Sequence, residues 1–317
     1  MTIKNNSDLI NKKAPKLSLG PVQYYWNRET IFNFYKHIET TQVDIVYLGE
    51  TVCSKRKLIK RDDWLEIAHR LQAAGKEVVL CSMTLIEANS ELAALKRLCS
   101  NLEFMIEAND ISAVQLLEGK SFVTGPAVNI YNPQTLNVLS KQGLKRWVLP
   151  IELSKKSLTD MQTEKPKNIE TEVIVYGRLP LAYSARCFTA RSHNLSKDDC
   201  QYRCLDDPDG LLLSTQENEI FLVLNGIQTQ SAKTSNLISE IDQLLTLNVD
   251  ILRINPPSKH IGKIIDIFYK VLHENYCTND ANESLQKLMP NGGSCNGYWY
   301  GNSGMNNYIL KRGSVAC

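Results

Sequence analysis

Apolar residues along the chain gather in short runs rich in β-branched and aromatic side chains, separated by longer stretches with helical spacing. Eight runs read as strands: Asp44–Glu50, Glu77–Met83, Glu103–Ala108, Phe122–Tyr131, Arg146–Glu152, Thr171–Gly177, Glu219–Gly226 and Val249–Asn255. Several are almost continuously apolar, as parallel strands covered on both faces are. Helical patterns fill the gaps at Asp62–Ala74, Ile86–Leu98, Pro133–Lys141, Thr234–Leu247 and Lys259–His273. The first of these puts Trp64, Leu65, Ala68 and Leu71 on one stripe, opens with Asp62 and Asp63, and stops before Gly75. The alternation predicts an α/β fold, a TIM-barrel-like (β/α)8 domain. An open doubly wound sheet would give the same local pattern, but neither a GxGxxG nor a phosphate-loop motif supports it.

Two segments interrupt the rhythm. Residues 177–217 form a long cysteine-bearing insertion after the sixth predicted strand, and Pro290–Gly304 is rich in glycine and asparagine. Loops of this length inside a compact domain are usually functional or disordered. The expected organisation is a polar N-terminal extension over 1–16, one barrel domain over 17–289 and a Gly/Asn-rich C-terminal segment over 290–317.

Composition narrows the class. With 43% hydrophobic and 22% charged residues in a chain of 317, the protein reads as globular and able to build a large core without staples. Its 36 basic and 34 acidic residues are evenly spread, which gives no electrostatic case for gripping a nucleic-acid backbone. The start, MTIKNNSDLINKKAPK, lacks the apolar core of a secretory signal, and no later run is long enough to span a bilayer. A cytoplasmic location is expected. In that reducing compartment nine cysteines point to burial, metal binding or redox chemistry rather than permanent disulfides.

Three cysteines share the insertion: Cys187, Cys200 and Cys204, in ARCFTARSHNLSKDDCQYRC. Cys53, in YLGETVCSKRK, is distant in sequence, but it follows the first predicted strand as Cys187 follows the sixth. A barrel would bring both to its carboxyl-terminal rim, where such folds assemble their chemistry. Four thiolates there could hold zinc or an iron-sulfur cluster. Only Cys200 and Cys204 have the short spacing of a zinc knuckle, which leans the choice towards iron-sulfur. Lys55, Arg56, Arg186, Arg191 and Arg203 are close in sequence and would favour thiolates. Cys81 and Cys99 read as small core residues, Cys277 and Cys317 show no partner pattern, and Cys295 stays open in its glycine-rich setting.

Further candidates are polar residues at strand ends, Glu50, Glu107, Asn129, Tyr131, Glu152 and Asn225, about half of which should line a pocket. Tyr183, Arg186 and Arg191 flank Cys187, and a guanidinium there could meet a substrate carboxylate. Catalytic residues are not assigned.

The run GRLPLAYSARCFTAR (Gly177–Arg191), with KDDC and Cys204, resembles the signature of the collagenase-like peptidase family, family U-thirty-two. With LGPVQYYW, VYLGETVCSKR, VLNGIQT and CNGYW, the likeness runs from Leu17 to Trp299 and is specific to the branch serving oxygen-independent ubiquinone biosynthesis. The resemblance implies a 4Fe-4S cluster on Cys53, Cys187, Cys200 and Cys204. It also implies a heterodimer with a UbiU-type paralogue, ring hydroxylation of a prenylated aromatic ubiquinone precursor, and prephenate as oxygen donor. Where many relatives carry a further cysteine this chain has Pro180, and Cys53 would supply the missing thiolate. Peptidase activity is not expected, because HExxH, GxSxG and a Cys/His pair are all absent. The alternatives are a non-catalytic, metal-stabilised partner subunit, or RNA-base hydroxylation as in other family members, against which the balanced charge weighs.

Overall fold

The computed structural model describes residues 14–290 and 293–309. Most of the predicted N-terminal extension lies outside the described residues, as does Cys317. Seven parallel strands follow in order: β1 (Lys16–Leu19), β2 (Ile45–Leu48), β3 (Glu77–Cys81), β4 (Met105–Ala108), β5 (Phe122–Thr124), β6 (Leu144–Val148) and β7 (Glu170–Tyr183). The chain then makes β8 (Leu211–Ser214), β9 (Ile220–Asn225) and β10 (Gln228–Asn236) before the eighth parallel strand, β11 (Ile251–Ile254). Pairing of β11 with both β7 and β1 closes the barrel. The fold is a TIM-barrel-like (β/α)8 barrel.

Side chains alternate along the strands as a period of two requires. Val46, Leu48, Val78, Leu80, Leu252 and Ile254 face the surrounding helices, in one large apolar layer. Ile45, Tyr47, Val79, Cys81, Val123, Val148 and Ile251 fill the lumen. Around the barrel lie α1 (Arg28–Ile38), α2 (Arg61–Ala73), α3 (Asn89–Cys99), α4 (Ile111–Leu116), α5 (Pro133–Gln142) and α6 (Lys155–Glu164). The short α7 (Phe188–Ser192) belongs to the insertion, and α8 (Ile241–Thr246), α9 (Ile261–His273) and α10 (Thr278–Gln286) complete the shell. Their starts are legible in the sequence: Asn27 and Asn132 accept from the Thr30 and Thr135 amides at 2.8 Å, and Pro133 opens α5.

The structure corrects three readings. The first barrel strand is β1, whose four residues, KLSL, include no β-branched or aromatic side chain. The Glu219–Gly226 run is a strand, β9, but it lies outside the barrel. Because β1 comes first, the cysteine insertion follows the seventh barrel strand rather than the sixth. Thr234–Asn236 ends β10, and helix forms only beyond it, as a 3-10 turn at Ile238–Glu240 followed by α8.

β7 runs beyond the barrel to Tyr183, and there β10 pairs with it antiparallel, followed by β9 and β8. An antiparallel sheet thus rises from the C-terminal rim. The strand β12 (Ser294–Cys295) joins β10, and Trp299 buries its ring in the outer core with Nε1 3.2 Å from Gln243 Oε1. Among the described residues no helix is long and apolar enough to cross a membrane.

Candidate functional site at the barrel mouth

Cys53 lies in the loop after β2, Cys187 caps α7 by accepting from the Ala190 amide at 3.4 Å, and Cys204 sits in a 3-10 turn at Arg203–Leu205. All three, with Cys200, are free and half-buried. Negative charge on Cys187 would raise the pKa of both Cys53 and Cys204, that on Cys53 would raise the pKa of Cys204, and Lys55 feels both Cys53 and Cys200. Among the described residues no group of three or more His, Cys, Asp or Glu is arranged to hold a single metal ion.

Two cations tie the Cys53 loop to the insertion. Lys55 Nζ donates to the Lys197 carbonyl and to Asp198, both at 2.8 Å. Arg56 is 5% exposed; it donates to the Gln23 carbonyl and to Asn225 Oδ1 at 2.7 Å, lies 3.6 Å from Glu50, and hydrogen-bonds Cys204. Glu50 Oε1 in turn accepts from the Val52 and Cys53 amides, at 2.8 and 3.0 Å, and holds the loop in shape. Gly226, at the β9–β10 turn, has φ +66°, and a Cβ there would stand 3.0 Å from Arg56 Nη2.

The expectation that nearby cations would favour thiolates is met only in part. Burial pushes the Cys204 thiol up to about 11 and that of Cys53 above its usual range, and Arg56 opposes both shifts. Arg186 and Arg191 are exposed, and Arg203 pairs with Asp206 at 3.5 Å.

Of the strand-end candidates, Glu107 reaches the mouth from the lumen, while Glu50 and Asn225 hold Arg56. Asn129, Tyr131 and Glu152 form an exposed hydrogen-bonded cluster of their own. Tyr183 lies at the mouth, its hydroxyl accepting from Gln228 Nε2 at 2.7 Å. Cys81 is buried in the lumen and donates to Glu107 at 3.3 Å; Cys99 and Cys295 are also buried.

Apart from Glu107, a chain of charged residues inside the barrel escaped the sequence reading. Arg146 binds Glu77 and Glu170 at 2.8 Å and donates to the Tyr47 hydroxyl at 3.0 Å; Tyr47 donates to Glu172. Glu172 accepts from Arg253 Nε at 2.8 Å, and Arg253 Nη1 meets Glu107 at 2.7 Å. The available signal was a charged residue at an inward position of an otherwise apolar strand, as in FMIEA, LKRWV, ETEVIV and ILRIN.

The model of peptidase family U32 matches residues 33–307. The chain belongs to peptidase family U32. The matched span of this U32 protein takes in Cys53, the whole insertion and β12. A curated relative, tRNA hydroxylation protein P1 of Bacillus subtilis (strain 168), is 26% identical over 171 residues, covering 50% of this chain and 39% of the relative. The match thus spans about two fifths of that protein's length. Among solved structures, the U32 peptidase Mk0906 is 12% identical with a TM-score of 0.45, covering 78% of this chain and 96% of its own. The spore cortex-lytic enzyme SleL of Bacillus megaterium QM B1551 is 9% identical with a TM-score of 0.43, covering 81% and 74%.

Proposed function

We propose that this U32 chain is a UbiV-type subunit that carries a 4Fe-4S cluster on Cys53, Cys187, Cys200 and Cys204. It acts with a UbiU-type paralogue in oxygen-independent hydroxylation of a prenylated aromatic ubiquinone precursor, with prephenate as oxygen donor. The observation that carries this reading is the tie between the Cys53 loop and the cysteine insertion, where Lys55 Nζ donates to the Lys197 carbonyl and to Asp198. The donor set fits the group. The four thiols are free and half-buried, and soft sulfur donors of this kind suit an iron-sulfur cluster. When bound, such a cluster supplies one-electron chemistry that side chains lack. The protein's own contribution is to hold the loops in register, through Glu50 and Lys55, and to set a buried cation, Arg56, against the anionic sulfurs.

Anaerobic purification with iron and sulfide analysis and electron paramagnetic resonance tests the proposal. Cys53→Ala, Cys187→Ala, Cys200→Ala and Cys204→Ala should each lose iron and the cluster signal. Unchanged iron and sulfide in all four variants would overturn it.

The relative whose name refers to tRNA hydroxylation favours a second reading, hydroxylation of an RNA base. The net charge of +2, evenly spread, weighs against it. Binding of unfractionated tRNA at low salt, with no retention of the UbiU-type paralogue, would move the assignment to RNA.

A further inference from the structure

The antiparallel sheet above the rim ends on an open edge. Its strands run from β7 through β10 and β9 to β8, and among the described residues no strand pairs with the outer side of β8. Such an edge is a template for another strand, and folds usually blunt it with lysine, proline or an inward-pointing charge. β8, with the sequence LLLS, has none of these, and its one register shift comes at its last residue, between Leu213 and Ser214.

The side chains around this edge are apolar. Register puts Leu211 opposite Leu224 and Leu213 opposite Leu222, so four leucines share one face of the hairpin, which Thr229 and Ser231 of β10 continue. None of the six is buried. On the other face Val223 is covered, but Leu212 and Phe221 are 42% and 46% exposed. Contiguous apolar surface left open in this way marks a protein contact.

Charge selects what fits there. Between Arg203 and Lys233 the chain holds Asp206, Asp207, Asp209, Glu217 and Glu219 and not one lysine, arginine or histidine. Asp206 meets Arg203 and Asp209 accepts from the Ser258 amide, but Glu217 and Glu219, at the β8–β9 turn, have no cation opposite them among the described residues. A second copy of this chain set edge to edge would bring like charges together, whereas a partner with basic flanks would complement them.

We infer that the β8 edge takes up a strand from a different protein, one that offers an extended apolar segment flanked by lysine or arginine. Main-chain hydrogen bonds to β8 supply affinity, and the leucine face supplies specificity. Only the identity of that protein as the UbiU-type paralogue rests on the proposed function; the edge itself stands on its exposure and charge. β9 links it to the cysteine loops, because Asn225 at the end of that strand holds Arg56.

Anaerobic purification of the full chain, with titration calorimetry against the paralogue and light scattering, tests the edge. The wild-type chain should bind the paralogue, more weakly as salt rises. Leu213→Lys, which sets a cation on the leucine face, should weaken binding about tenfold, as should the pair Glu217→Lys and Glu219→Lys. These side chains are exposed, so the variants should keep the wild-type denaturation midpoint and iron content. Leu102→Lys replaces an 83% exposed leucine before β4, at the other end of the barrel, and should bind as the wild type does. Undiminished binding by the edge variants, or equal weakening by Leu102→Lys, overturns the inference and leaves the proposed function standing. A wild-type chain that pairs with itself, and that Leu213→Lys returns to a monomer, overturns it in favour of a second copy. An iron-loaded wild-type chain that binds no paralogue overturns both the inference and the partner in the proposed function. Edge-dependent binding by a wild-type chain that holds no iron upholds the edge and overturns the cluster.

Discussion

Arg56 joins three parts of the chain at one guanidinium: the Gln23 carbonyl after β1, its own loop through Glu50, and the β9–β10 turn through Asn225. Burial alone would lower its pKa, but Glu50, Cys204 and Cys53 outweigh it and hold the charge in place. Arg56→Met should cost about 3–5 kcal/mol in chemical denaturation of the metal-free protein, since it leaves Glu50 and Asn225 without their buried partner. Arg56→Lys should recover only part of this, because a lysine lacks the rigid planar fork that reaches Gln23 and Asn225 from separate nitrogens. Beside it, Gly226→Ala forces a side chain into the left-handed region and towards Arg56, and should cost about 1–2 kcal/mol. At this scale the sequence singled out four cysteines as a candidate set. It did not show that burial would oppose their ionisation, since desolvation depends on what packs over a thiol.

Among the elements, β7 decides how the mouth is built. It is 14 residues long, and its pairing with β11 slips between Arg253 and Ile254, where an extra residue bends the strand outward. Gly177 follows directly, with φ +115° and an imagined Cβ only 2.6 Å from Asn255 Cβ. Gly177→Ala should therefore cost roughly 2–4 kcal/mol by denaturant midpoint. The first half of β7 was legible as a strand from its run of β-branched and aromatic residues. Its continuation past Gly177, through Pro180, was not, because Gly and Pro within a run ordinarily end one. β10, as QTQSAKTSN, has too few apolar residues to declare itself, and it becomes a strand because β7 and β9 offer it edges on both sides.

Across the whole molecule, the lumen carries charges where most barrels of this kind carry branched apolar side chains. Glu172 is fully buried; burial alone would raise its pKa, yet Arg253 and Arg146 hold it below the usual carboxylate value of 4.5. A depressed folded pKa gives stability that is complete above the unfolded value and is lost as pH falls through the folded one. Unfolding should accordingly sharpen below about pH 4.5. Glu172→Gln should flatten that acid limb and lower stability at neutral pH by about 3–5 kcal/mol, because two buried guanidiniums lose their shared carboxylate. Denaturation followed by circular dichroism across pH 3–7 would measure both effects.

The α/β alternation, the inward and outward faces of the strands, the helix starts and the cysteine spacing all follow from residues a few positions apart, and the chain alone determined them. Which strand closes the barrel, that the insertion stands on the seventh strand, and that Thr51, Tyr183, Arg253 and Asn255 meet at the barrel mouth were decided only in three dimensions. Strand pairing and the meeting of buried charges link residues as far apart as Ser18 and Glu172, and no local pattern encodes such a partner. Its choice is made by the packing that excludes water from both.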